Sequence, residues 1–100
     1  MNSNYMAGRK VEYERMKFWR GQGHTCWRGA GSHGVDLTTV SPEGNVQFIS
    51  IKLTPNRATA LRLIKQFRDQ PSLGTRSNAT YRQGIEVRVK GSKEVMSSWC

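Results

Sequence analysis

Two kinds of hydrophobic spacing alternate along this chain, and their order constrains the fold more than any other feature. Apolar residues recur every three or four positions in 8–20 and 55–70, which is the spacing of an amphipathic helix. Elsewhere apolar and polar residues alternate, as in half-buried strands. The alternating segments are 24–28, 35–40, 46–53, 85–89 and one around 95–99. The pattern predicts an α/β fold in the order helix, three strands, helix, two strands, with a mixed β-sheet flanked by helices.

Local signals define the ends of these elements. Gly21 follows the first helix, and Thr54 with Pro55 predicts the start of the second, with Thr54 as N-cap. Ala60, Leu63, Ile64 and Phe67 form the apolar stripe of that second helix. We expect a loose tail at 1–7, a polar loop at 71–80, and turns at 41–45 and 91–92.

The charge balance indicates the class of partner. The chain has 100 residues, with 16 Lys and Arg against 7 Asp and Glu, so its net charge is +9. One domain is expected at this length. The excess of positive charge favours a polyanion, nucleic acid first and an anionic membrane surface second. No apolar run is long enough to span a membrane and no export signal is present, so a reduced, cytoplasmic setting is expected.

Three polar residues are candidates for chemistry. Asp36 and Lys52 lie in neighbouring predicted strands, and Glu12 lies on the apolar side of the first helix. Carboxylates are the protein ligands of Mg²⁺, and a cation beside a phosphodiester stabilises the charge that develops during its hydrolysis. The alternative is structural: Asp36 and Lys52 as a surface ion pair, and Glu12 paired with Arg9 or Arg15.

The order of several short motifs resembles a known family. These are Gly8-Arg9-x-x-Glu12, the segment 23–28, the segment 30–37 with Ser32 and Asp36, and Ile49-Ser50-Ile51-Lys52. Over residues 8–53 the chain resembles the archaeal-type Holliday-junction resolvases of the PD-(D/E)xK nuclease superfamily. The resemblance implies a restriction-endonuclease-like fold, a homodimer, and cleavage of four-way DNA junctions with Mg²⁺, for which Mn²⁺ substitutes.

The resemblance also implies roles for individual residues. Glu12 and Asp36 would be metal ligands, and Lys52 would hold the attacking water or stabilise charge on the phosphate. Ser32 matches a loop serine beside the cut site. Arg9 and Arg28 match positions that contact the DNA backbone.

Position 50 departs from the family pattern. The residue two before the lysine is normally Glu, or Gln in some relatives, and here it is Ser50. Serine is a poor Mg²⁺ ligand, although its hydroxyl or a bound water can take the catalytic place of the missing Glu or Gln oxygen. A weakened nuclease, or a protein that binds branched DNA without cutting it, is therefore an alternative.

Further polar and aromatic residues have two interpretations each. His33 either contacts phosphate or is simply exposed in a glycine-rich loop. The basic residues of the second helix, which include Arg57 and Arg62, either contact phosphates or form a solvated face; the net charge favours phosphate contact. The three Trp residues either pack in a core or dimer contact, or stack on bases. A structural RNA-binding protein would explain the charge equally well but leaves Glu12, Asp36 and Lys52 without a role.

Overall fold

The computed structural model describes residues 3–29, 35–69 and 81–99. Its elements follow the predicted order of helix, three strands, helix, two strands. They are α1 (Ser3–Gly21), β1 (Thr25–Arg28), β2 (Leu37–Val40), β3 (Val46–Thr54), α2 (Arg57–Asp69), β4 (Tyr81–Val89) and β5 (Val95–Trp99).

The five strands form one mixed sheet in the order β1-β2-β3-β4-β5. The pairs β1–β2, β2–β3 and β4–β5 are antiparallel, while β3 and β4 are parallel over their whole length. Parallel neighbours need a crossover connection, and α2 lies in the segment that joins β3 to β4. The predicted mixed α/β architecture is therefore confirmed.

The helices cover opposite faces of the sheet. Val11 and Met16 of α1 pack in one core cluster with Cys26, Leu37, Ile49 and Ile51. On the other face, Ala60 of α2 packs with Ile85 and Val87 of β4. The partly buried Leu63, Ile64 and Phe67 complete the predicted stripe of α2.

The two helices differ from the prediction at their starts. α1 begins at Ser3, so the tail expected at 1–7 is wrong for residues 3–7, which extend the helix without a Pro to interrupt it. The N-cap of α2 is Asn56 rather than Thr54: Asn56 Oδ1 accepts a hydrogen bond of 2.8 Å from the backbone N–H of Thr59. Thr54 is instead the buried last residue of β3, because the strand continues one residue further than predicted.

Both predicted turns are present. In the first, Ser41 accepts hydrogen bonds from the backbone of Gly44 and of Asn45, and Gly44 adopts a φ of +90°. In the second, Ser92 N–H donates to the carbonyl of Val89, and Gly91 adopts a φ of +80°. Glycine is favoured at such left-handed positions. The loop predicted at 71–80 lies outside the described residues.

Among the described residues, no helix combines the length and the apolar character that crossing a bilayer requires.

Candidate active site

The candidate site lies where β2 separates from β3. The last paired residues of this ladder are Leu37 and Ile49, and just beyond them the N–H of Asp36 donates to the carbonyl of Ile49 at 2.9 Å. The Asp36 side chain then extends the contact, because its Oδ2 accepts a 2.7 Å hydrogen bond from the backbone N–H of Ile51. The Asp36 carboxylate thus accepts the hydrogen bond of the Ile51 amide where the backbone of β2 no longer pairs with β3.

This hydrogen bond places Asp36 beside the functional segment of β3. Ile51 lies between Ser50 and Lys52, whose side chains point to the face opposite that of Ile51 because side chains alternate along a strand. Ser50 is half-buried and Lys52 is exposed. The structure therefore brings the Asp36 side chain to Ile51, the residue between the two that the resemblance selected on β3.

Asp36 and Lys52 are not a surface ion pair. Neither residue has a salt bridge with any part of the chain that the structure describes. The Asp36 carboxylate is positioned by the Ile51 amide through Oδ2, and its Oδ1 accepts no hydrogen bond from the described residues. No described residue forms a hydrogen bond or salt bridge with this carboxylate oxygen or with the Lys52 ammonium.

Glu12 is held by a different arginine from the two that the sequence suggested. Its Oε1 lies 3.1 Å from Nε of Arg28, on β1. The expected pairing with Arg9 or Arg15 is wrong, because Arg15 reaches across to Glu86 of β4 instead. Arg28 is paired in register with Leu37, the residue after Asp36, so Glu12 is anchored one strand away from the Asp36 position.

Tyr13 is a residue of this region that the sequence argument missed. The guanidinium carbons of Arg9 and Arg28 lie 5.9 and 5.3 Å from the centre of its ring. A hydrogen bond from Arg9 and the positive charge of both arginines lower the pKa of the Tyr13 phenol below its usual value of 10.0. The hydrogen bond to Glu12 in turn raises the pKa of Arg28. The only sequence signal was the spacing of Arg9 and Tyr13, four residues apart on one helix.

The donor set among the described residues is compatible with magnesium. No group of three or more His, Cys, Asp or Glu side chains that could hold a metal occurs within residues 3–29, 35–69 and 81–99. Mg²⁺ commonly uses one or two carboxylates and completes its shell with water and phosphate oxygens. Asp36, whose Oδ1 accepts no hydrogen bond from the described residues, fits that requirement. Glu12, the second carboxylate that the resemblance selects, pairs with Arg28 on the α1 face, opposite the face of Lys52.

The remaining predicted site residues divide into two groups. Ser32 and His33 lie outside the described residues. Arg57 and Arg62 are both exposed on α2, but Arg57 has a salt bridge of 3.3 Å with Glu94, whereas Arg62 has none among the described residues.

Comparison with known proteins gives no family for this chain: no protein-family model matches it, and neither does any curated protein.

Proposed function

We propose that this protein is a metal-dependent, structure-selective DNA endonuclease that cuts four-way junctions. The observation that carries the proposal is the Asp36 carboxylate, held at the point where β2 leaves β3 by the amide of Ile51, the residue that precedes the exposed Lys52. An acid and a cation at this position, on a chain of net charge +9, suit the hydrolysis of a phosphodiester.

Each residue has a defined task in that reaction. Asp36 would hold Mg²⁺, which would supply Lewis-acid activation of the phosphate and of a bound water. Glu12 pairs with Arg28 on the α1 face, opposite the face of Lys52, and is assigned no ligand role. The Lys52 ammonium orients the water or stabilises the negative charge that develops on the phosphate oxygens. The Ile51 amide fixes the rotamer of Asp36, so that little reorganisation is needed when the substrate binds.

Binding of the DNA would depend on charge and shape rather than on base sequence. Arg9, Arg28 and Arg62 supply cations to phosphates on both sides of the sheet. A symmetric homodimer would present two such sites to the two strands of a four-way junction that are related by a twofold axis.

Cleavage of a synthetic four-way junction, compared with linear duplex of the same sequence, tests the proposal. We expect cutting of the junction with Mg²⁺ or Mn²⁺ and none with EDTA. Asp36→Asn should abolish cleavage and Lys52→Ala should reduce it about 100-fold or more, with junction binding retained in both. Glu43→Gln is the matched control, because this exposed turn residue has no role in the site. Junction cleavage by Asp36→Asn at the wild-type rate would show that the site is wrongly assigned.

Ser50 supports a second candidate function, binding of branched DNA without cleavage. Serine stands where the resembling family has a carboxylate or an amide, which removes one oxygen ligand from the metal site. A chain of this kind would hold junctions through the same cations and leave them intact.

A further inference from the structure

Part of one face of the sheet, beside the candidate active site, is covered by neither of the helices that the structure describes. α1 packs against one face, whereas α2 packs on the other face against β4, β5 and β3. Because the strand order is β1 to β5, this other face continues past α2 over β2 and β1. Trp27 of β1 lies there with 46% of its surface exposed, while its neighbour Cys26 is buried on the α1 face.

Trp27 belongs to a row of three side chains that crosses this part of the sheet. It is paired in register with Thr38 of β2, and Thr38 is paired with Phe48 of β3. Directly paired residues lie on the same face, so two aromatic side chains flank a small one. Strands are about 4.8 Å apart, which separates the backbones of Trp27 and Phe48 by about 10 Å.

The row is close to the candidate site. Ser50 lies two residues from Phe48 on β3, and Asp36 lies two residues from Thr38, just before β2. Two residues of a strand span about 7 Å, and Ser50 shares the face of Phe48 because side chains two apart on a strand point to the same face. One nucleic-acid strand can therefore contact the row and the active site together.

We propose that the row formed by Trp27, Thr38 and Phe48, named here the Trp27 face, binds unpaired bases of a DNA strand whose backbone reaches Asp36 and Lys52. The inference rests on the nuclease function proposed above and narrows its substrate to DNA with unstacked bases, such as an opened branch point. Stacking on an aromatic side chain tolerates every base, because every base has a π-face.

Charge favours DNA over a second copy of the chain as the occupant of this face. Lys52 is exposed on the same side of the sheet and has no salt bridge among the described residues. Face-to-face association of two copies would bring two Lys52 side chains and two net charges of +9 together. A single strand of DNA supplies phosphates to the cations and flat bases to Trp27.

Binding of a fluorescein-labelled oligothymidylate of twelve nucleotides, measured by anisotropy at fixed salt in EDTA, tests the inference. Trp27→Ala should weaken this binding about tenfold, equivalent to about 1.4 kcal/mol, and should change the affinity for a duplex of equal length much less. Phe18→Ala is the matched control, since Phe18 is 42% exposed on α1 and lies across the sheet. An unchanged oligothymidylate affinity in Trp27→Ala overturns the inference.

Tryptophan fluorescence gives a second readout that does not depend on the stability of Trp27→Ala. Oligothymidylate should quench the emission of the wild-type chain, and Trp27→Phe should bind it with little quenching, because Trp19 and Trp99 pack against the α1-side core. Equal quenching of Trp27→Phe and wild type would place the bases elsewhere and overturn the inference.

Two further results distinguish this inference from a dimer contact at the same face and from the proposed nuclease function. If sedimentation shows that Trp27→Ala loses a dimer while its oligothymidylate affinity is unchanged, the Trp27 face binds a second copy and the inference is overturned. If the wild-type chain binds oligothymidylate through Trp27 but cuts no junction, the Trp27 face is supported and the nuclease function fails alone.

Discussion

Arg15 of α1 and Glu86 of β4 form a bidentate ion pair on the α1 face of the sheet. Nε lies 2.8 Å from Oε1 and Nη2 lies 2.9 Å from Oε2. Glu86 is only 3% exposed. A second pair, Arg88 with Glu14, joins the same two elements. The helix that carries Glu12 is therefore fixed to the centre of the sheet by charge as well as by apolar packing.

Removal of the Glu86 carboxylate should destabilise the fold strongly. Glu86→Ala leaves the Arg15 guanidinium largely buried without its partner, and breaking a buried pair in this way costs about 3–5 kcal/mol. Urea unfolding followed by circular dichroism measures the loss. Glu94→Ala is the matched control, because its pair with Arg57 is exposed and such pairs contribute at most about 1 kcal/mol. Similar losses in the two variants would show that burial of the Arg15–Glu86 pair has no special effect.

Gly84 should tolerate no side chain, for a steric reason. A Cβ at this position would lie 2.2 Å from Cε3 of Trp99, whose ring packs over the β4 backbone from β5. Gly84→Ala should therefore displace the ring and lower the free energy of unfolding by about 1–3 kcal/mol, with a changed near-ultraviolet circular dichroism spectrum.

The control for Gly84 is a glycine with open surroundings. A Cβ at Gly8 of α1 would meet nothing within 4 Å, so Gly8→Ala should stabilise the protein by about 0.5–1 kcal/mol. A Gly84→Ala variant as stable as the wild type, with an unchanged spectrum, would mean that Trp99 does not pack over Gly84.

The order of the elements could be predicted because each depends on spacing within a few residues. The apolar stripe of α2 and the glycine turns at Gly44 and Gly91 are such local features. The burial of Glu86 is not: its partner Arg15 is 71 residues away in sequence. Alternation along β4 correctly predicts that Glu86 and Ile85 lie on opposite faces of the sheet. Which of these faces α1 covers depends on the crossover through α2, and that is not a local feature.

The candidate site likewise combines residues that local sequence predicts with contacts that depend on the tertiary fold. Asp36 and Lys52 could be selected from residue type and order, whereas the hydrogen bond from Ile51 depends on where β2 separates from β3. The predicted partner of Glu12 was wrong because helical spacing suggests only arginines on the same helix. The actual partner, Arg28, comes from β1.

Arg62 should contribute one phosphate contact to DNA binding. Neutralising one phosphate adds about 0.9 to the slope of log K against log salt concentration, so Arg62→Ala should reduce that slope by about one. Junction binding by anisotropy between about 50 and 200 mM NaCl measures it. Gln66→Ala, an exposed neutral residue of the same helix, is the control. An unchanged slope in Arg62→Ala would make α2 a solvated face rather than a DNA contact.

Restoring a carboxylate at position 50 should strengthen the metal site. Ser50 is half-buried on the strand segment that Asp36 contacts through the Ile51 amide, so Glu at this position adds an oxygen ligand next to Asp36. We expect Ser50→Glu to lower the Mg²⁺ concentration for half-maximal junction cleavage about tenfold. Thr25→Glu is the control, since it adds the same charge at an exposed position of β1.

The same variant distinguishes the two candidate functions. If the wild-type chain binds junctions without cutting and Ser50→Glu cuts them, the wild-type protein is the non-cleaving binder. If the wild-type chain already cuts well, Ser50 substitutes adequately for the carboxylate or amide at this position, and binding without cleavage is excluded. Should neither chain cut at any Mg²⁺ or Mn²⁺ concentration while both bind, the carboxylate of Asp36 serves only to fix the start of β2 against β3, through the amide of Ile51.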